Sequence, residues 1–379
     1  MIQSKLPRVG TTIFTVMSGL ATETGAINLS QGFPDFPVER DLISLVNQNM
    51  EHNYNQYAPM SGTPELRSAL AAKYKLLYGR NYDPQTEITI TAGGTQAIYT
   101  AITALVQPEN EVILFAPAYD CYAPAVELSG GRPVYYEMHA PDYAVDWNKV
   151  KSLVNRKTRL IIINTPHNPS GTAWTEKDLL ALQDITKGSD IIVLSDEVYE
   201  HIIFDGMKHQ TVALYDDLSS RSIVVGSFGK TFHATGWKVG YAAAPAPIMK
   251  EFRKIHQFVT FAVNHPVQRA LAEYIQNPDH YNGVAKMYEE KRDRFASAIA
   301  GSRFGIRPSN GTYFQLLDYS EITNEKDTDY AVRLTREMGV ASIPVSVFYP
   351  NGSGDKVLRF CFAKENETLD RAAEILRSI

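Results

Sequence analysis

The chain has 379 residues, 44% hydrophobic and 21% charged, a globular composition long enough for two cores. Its 37 basic and 42 acidic residues leave a net charge of −5, with no basic excess for a phosphate-backbone footprint, so no nucleic-acid partner is expected. Neither a run of about 18 apolar residues nor a signal-type apolar stretch in residues 1–20 occurs; two cysteines, Cys121 and Cys361, fit a reducing, cytoplasmic setting away from membranes.

Residues 1–40 are too few and too irregular to fold alone and are expected to pack, as an arm, on a second unit or a neighbouring subunit. From there to about residue 275 strands and helices alternate. Strands are predicted at 87–91 (EITIT), 111–115 (EVILF), 133–137, 159–164 (RLIIIN), 191–195 (IIVLS) and 221–227 (RSIVVGS), with helices at 95–106, 122–129 and 176–186. Continuous Ile/Val/Leu runs mark strands covered on both faces, so the first large unit, 41–275, is expected to be α/β with a doubly wound, mostly parallel sheet. From about residue 245 helices dominate, at 247–258, 267–276 and 281–299. A strand at 313–317, a helix at 329–338, a strand at 357–361 and a terminal helix from about 367 follow. This order points to a smaller α+β unit over 276–379.

Ligands of open parallel sheets bind beyond the carboxyl ends of the strands, and four ends carry unusual residues. After 87–91 comes Thr91-Ala92-Gly93-Gly94-Thr95-Gln96-Ala97, where two glycines and a helix start offer unpaired N–H groups to a phosphate; an ordinary capped turn is the alternative. After 159–164 a rigid loop, TPHNPSG, places Asn168 as a hydrogen-bond donor or as a plain turn residue. After 191–195 Asp196 surfaces from a buried strand. It needs a cationic partner, either a protonated heterocycle or an arginine or lysine of the protein. After 221–227 Lys230 stands among small residues, where desolvation and the charge of Lys238 would depress its pKa. An anion cradle, an amide, a carboxylate and a lysine on one sheet edge describe a receptor for a phosphorylated pyridine aldehyde.

These segments, with NLSQGFPDF at 28–36, NQY at 55–57, PAYDCY at 117–122, SDEVYE at 195–200, SFGKTFHATGWKVGY at 227–241 and LRFCFA at 358–363, run through nearly the whole chain. In that order they resemble the class I aminotransferases of pyridoxal 5′-phosphate (PLP) fold type I, in the branch of kynurenine/glutamine and methionine aminotransferases. The resemblance implies a PLP enzyme that moves the amino group of an apolar or aromatic L-amino acid to a 2-oxo acid. By that resemblance Lys230 carries the cofactor and moves the proton, Asp196 pairs with the ring nitrogen, and Asn168 and Tyr199 bond the ring oxygen. Gly94, Thr95, Gln96, Ser227 and Lys238 surround the phosphate end, and Tyr119 stacks on the ring. Arg359 would grip the substrate carboxylate beside Gly32 and Asn168, with Phe14 and Phe33 in an apolar side-chain pocket. Tyr57 would reach the partner subunit's phosphate, making a homodimer with composite sites. No metal is expected.

The rival on the same scaffold is a cysteine-conjugate C–S β-lyase. A non-catalytic regulator of the same fold would not need Lys230, Asp196 and Arg359 together. A nucleotide-dependent oxidoreductase would need G-x-G-x-x-G, where this chain reads AGGTQA.

Overall fold

The computed structural model describes residues 2–307 and 309–379. Thirteen strands are present among them: β1 (Ile27–Asn28), β2 (Ile88–Thr91), β3 (Glu111–Ala116), β4 (Arg132–Glu137), β5 (Thr158–Asn164), β6 (Ile192–Asp196), β7 (Ser222–Ser227), β8 (Gly240–Ala243), β9 (Gly305–Ile306), β10 (Phe314–Asp318), β11 (Val340–Ala341), β12 (Ile343–Pro344) and β13 (Val357–Cys361). Seven form one sheet in the order β2-β8-β7-β6-β5-β3-β4. All its pairings are parallel except those of β8, which runs against both β2 and β7.

Alternate residues of these strands bury into two separate clusters. Ile113, Ile161, Ile163, Val193 and Val224 pack on one face, and Val112, Leu114, Leu160, Ile162, Leu194 and Val225 on the other. Period-two alternation with both faces apolar is what the continuous Ile/Val/Leu runs require. Each such side chain contributes about 1.5–3 kcal/mol on leaving water. β8 lacks that signature: GYAA has no Ile, Val or Leu and, apart from Tyr241, only small residues, yet all four positions are buried. It was not among the expected strands because Tyr241 is its one strand-favouring residue and glycine and alanine are depleted in strands.

A second, antiparallel sheet has the order β12-β13-β10-β9. The N-terminal residues are less irregular than expected. They hold the helix Ile13–Thr24, capped by the Thr12 hydroxyl, ended by Gly25 at φ 68°, and buried through Met17, Leu20 and Ala21. β1 then pairs in parallel with β11, which fixes the start of the chain beside the second sheet. The helix expected at 281–299 is two, Asp279–Asn282 and Val284–Ala298, parted at Gly283. Helices Arg40–Glu51 and Pro64–Tyr78 were not anticipated; the second starts at a Thr63 cap followed by Pro64 and ends at Gly79, φ 67°.

Candidate active site

β2, β3, β5, β6 and β7 all end at the same sheet edge, and because β8 runs the other way its first residue lies there too. A cavity of about 320 Å³ opens at this edge, within the range of small-molecule sites. Phe14, Gly32, Phe314 and Arg359 close it from the side of the second sheet.

Gly93, at φ 82°, precedes the helix Gly94–Leu105, whose first turn has no side-chain cap. Its free N–H groups and positive end meet the cavity wall formed by Gly93, Gly94 and Thr95. A Cβ on Gly93 would lie 3.3 Å from Lys238 Nζ, and one on Gly94 only 2.9 Å from Val198 Cγ1, so a larger residue at either position would have to displace these side chains. Ser227 and Lys238 line the same end, as does Thr235, which sequence reasoning passed over. Gln96 does not line the cavity. Its Oε1 accepts the Ala92 N–H at 2.9 Å and its Nε2 donates to Thr100 Oγ1 at 2.6 Å, so it braces the loop instead.

Asp196 is buried at the end of β6. Tyr122 Oη donates to its Oδ2 at 2.6 Å, and the Val198 N–H to its Oδ1 at 3.3 Å. Burial pushes its carboxyl up to about 6, against the Tyr122 hydroxyl, the Val198 N–H and the charge of Lys230. Among the described residues no lysine, arginine or histidine comes within ion-pair distance of it, so the ordinary salt bridge is not the answer here. Lys230 follows β7 on the short helix Phe228–Thr231. It is half-buried, open to the cavity, and its Nζ donates to Tyr313 Oη at 3.0 Å. Desolvation lowers this amine to about 8, with Lys238 and Arg359 acting the same way and Cys361 opposing them.

Arg359, on β13, is 1% exposed. It donates to Asn168 Oδ1 at 2.7 Å and to the Ser30 carbonyl at 3.1 Å, and its Cζ lies 3.8 Å from the Phe314 ring centroid. Its Nε has no partner and, among the described residues, no carboxylate pairs with it. A buried guanidinium stays charged, and among the described residues this one faces the cavity without a carboxylate partner. Asn168 gives its oxygen to Arg359, which leaves its amide nitrogen as a donor at the cavity. Asn164 fixes both loops by accepting the Asn168 N–H at 2.8 Å and donating to the Asp196 carbonyl at 2.9 Å.

Tyr199 and Tyr119 also line the cavity, and Tyr119 Oη stands 3.3 Å from Thr95 Oγ1. Phe14 packs 5.8 Å from Phe348. Phe33 is elsewhere. It is 42% exposed under the Lys364 ammonium, 4.6 Å from its ring, because the chain turns outward after Gly32. Tyr57 is 82% exposed and touches Phe261 edge-on at 5.2 Å, away from this cavity. Tyr313, which joins Lys230 to the Gly32 carbonyl (2.6 Å), was missed, since only the packing of β10 against the first sheet brings it there. Tyr122 was inside a segment already singled out, and a hydroxyl three residues past Tyr119 was the available signal.

The family model for aminotransferase class I and II matches residues 24–376. The chain belongs to this family. As a class I/II aminotransferase it is 50% identical over 378 residues to methionine aminotransferase of Escherichia coli K12, covering 100% of this chain and 98% of that one. It is 34% identical to kynurenine–oxoglutarate transaminase 3 of Rattus norvegicus, over 97% of this chain and 87% of that one. The crystal structure of an Escherichia coli protein described as having a methionine aminotransferase function superposes with TM-score 0.98 at 49% identity, over 100% of both chains. N-succinyldiaminopimelate aminotransferase of Mycobacterium tuberculosis does so with TM-score 0.96 at 35% identity, again over 100% of both. The aminotransferase fold, α/β with a mostly parallel central sheet, is therefore this chain's fold, and its activity is amino-group transfer between amino and oxo acids. No helix among the described residues is long and apolar enough to cross a membrane.

Proposed function

We propose that the cavity holds PLP and that the enzyme moves the amino group of an apolar or aromatic L-amino acid, methionine-like in the first place, to a 2-oxo acid. One observation carries this reading: a buried carboxylate without a cation, Asp196, shares a cavity with a desolvated amine, Lys230, and an unpaired guanidinium, Arg359. When bound, PLP supplies a ring that withdraws electrons from the substrate Cα. Asp196 would face the ring nitrogen and hold a proton there. Gly94, Thr95, Ser227 and Lys238 would take the phosphate at the helix start, Tyr119 would cover the ring face, and Asn168 and Tyr199 would reach the ring oxygen. Lys230 would join the cofactor and then carry the proton lost from Cα. Arg359 would bind the substrate carboxylate with two parallel N–H bonds and so orient the Cα–H bond towards Lys230.

The side-chain preference rests on the aromatic wall of Phe14 and Phe314, and on the cavity's cations being Lys230, Lys238 and Arg359, all with other duties. The relatives named for methionine and kynurenine support the same class. Exposed Tyr57, Phe258 and Phe261 form an aromatic patch suited to a second copy, which would complete each site. We further assign residues 1–40 to an arm, 41–275 to a cofactor-binding domain and 276–379 to a small domain. Free Cys121 and Cys361 suit the cytoplasm.

The test is a donor screen on purified, PLP-loaded protein. Methionine, phenylalanine, kynurenine and aspartate are each paired with a set of 2-oxo acids, a cysteine conjugate is incubated alone, and new amino acid, pyruvate and ammonia are measured. Transfer from methionine or the aromatics, exceeding that from aspartate, is the expected result. Pyruvate and ammonia from cysteine conjugates, without new amino acid, would establish the β-lyase instead.

A further inference from the structure

Behind the turn that carries Asp196 and Tyr199 lie two more acids, Glu197 and Glu200. Both are buried and neither lines the cavity. Glu200 collects three hydrogen bonds from two other elements. Lys73 Nζ (2.5 Å) and Tyr78 Oη (3.1 Å) come from the helix Pro64–Tyr78, and Tyr241 Oη (2.7 Å) comes from β8. Burial works to raise the Glu200 pKa, but the Lys73 charge and these bonds outweigh it and hold the carboxyl far below its usual range.

Tyr241 reaches Glu200 by crossing β7, and it can do so because residue 226 is glycine. A Cβ on Gly226 would sit 2.1 Å from the Tyr241 ring. The strand it crosses is the one that ends in Ser227 and leads into Lys230. A small cavity of about 10 Å³ is bounded by Lys73, Glu200 and Tyr241 of this cluster and by Ser227, Phe228 and Thr231 of the segment that carries Lys230. One acid therefore ties the turn bearing Tyr199 to the strand pair bearing Ser227 and Lys230. Stability alone does not call for this arrangement, since a buried ion pair replaced by apolar groups of similar volume is often neutral or better.

We propose that Glu200, with Lys73 as its counter-charge and Tyr241 as a strut, is a positioning residue of the transamination site. It touches neither substrate nor cofactor and acts by fixing Tyr199 and Lys230 relative to each other. Arg359 is held on β13, and Asn168 is held by Asn164 at the end of β5 with no bond to Glu200, so substrate carboxylate binding is outside its reach.

The inference rests on PLP being carried by Lys230. Borohydride reduction of the wild-type holoenzyme and peptide mapping is the control: a label anywhere but Lys230 overturns both readings. The test variant is the double Lys73→Met with Glu200→Leu, which removes both charges at once. Its melting temperature should stay close to that of the wild type. PLP should bind about tenfold more weakly and kcat fall by about tenfold or more, while KM for the amino donor stays within about twofold. A folded double variant with wild-type PLP affinity and kcat overturns the proposal. If the double variant does not fold, Tyr241→Phe decides, because it removes one hydroxyl and leaves the ion pair in place. A drop in kcat and PLP affinity of about threefold or more at constant KM supports the strut, and wild-type values for both refute it.

Discussion

Replacing Tyr122 by Phe removes the single side-chain donor to Asp196 without changing the shape of the ring. The bond is short, 2.6 Å, and charge-assisted, so its loss costs the ionised carboxylate roughly 1.5–3 kcal/mol. At 1.36 kcal/mol per unit this raises the Asp196 pKa by about 1–2 units. Burial already places it at about 6, so the variant should titrate at roughly 7–8. The sign follows from what Asp196 must do. Only the carboxylate can hold a protonated ring nitrogen, so below its pKa the free protein has to release a proton when PLP binds. Affinity therefore falls as pH drops through about 6 in the wild type, and through about 7–8 in Tyr122→Phe, approaching tenfold per unit. The assay is PLP affinity across roughly pH 5 to 9, read by quenching of protein fluorescence. Ionisation of the phosphate near 6 and deprotonation of Lys230 at about 8 affect both proteins alike, so the displacement between the two curves carries the result. Coincident curves would refute the reasoning, because they would mean that Asp196 does not meet the ring or that Tyr122 does not tune it.

Labelling of the cofactor-free protein by PLP and borohydride should rise with pH around about 8, the value desolvation gives Lys230, and vanish in Lys230→Ala. A midpoint near an ordinary lysine's ~10.4 would contradict the burial argument. Arg359→Ala leaves the Asn168 and Ser30 oxygens without their donor and the substrate carboxylate without its partner. KM for the amino donor should rise by roughly 30- to 900-fold, the equivalent of about 2–4 kcal/mol, as measured by steady-state kinetics. Gly93→Ala, at φ 82° with its Cβ 3.3 Å from Lys238 Nζ, should weaken PLP binding by about tenfold. Gly79→Ala, at φ 67° with open space around it, should lower the melting temperature and leave PLP affinity unchanged.

The central sheet was legible because its strands announce themselves. LIII and IIVL are apolar throughout and rich in β-branched residues, and they are followed by Pro, Gly or Asp within a few positions. β8 was not, since GYAA has only Tyr241 to favour an extended chain and owes its form mainly to a slot between β2 and β7. The residues around the cavity were legible where they follow strands directly, as Asp196, Ser227 and Lys230 do. Tyr313 and Phe314 were not, because their place at the cavity depends on how the second sheet packs on the first, at a sequence separation no pattern encodes. Phe33 illustrates the converse error. It follows Gly32, which does line the cavity, but the chain bends there instead of continuing along the wall, and its ring went to Lys364.

β8 is the only strand that reverses direction in the central sheet, and it does so immediately after β7. A parallel successor would have required a crossover of a dozen or more residues returning to the far edge. The turnback instead lets residues 227–240 stay at one rim, so Ser227, Lys230, Thr235 and Lys238 arrive as a single uninterrupted stretch. That one peptide also brings Gly229 and Val239 to the ligand-facing wall. Slowed amide exchange on loading the protein should concentrate in that peptide, and damage anywhere along it removes several contacts together.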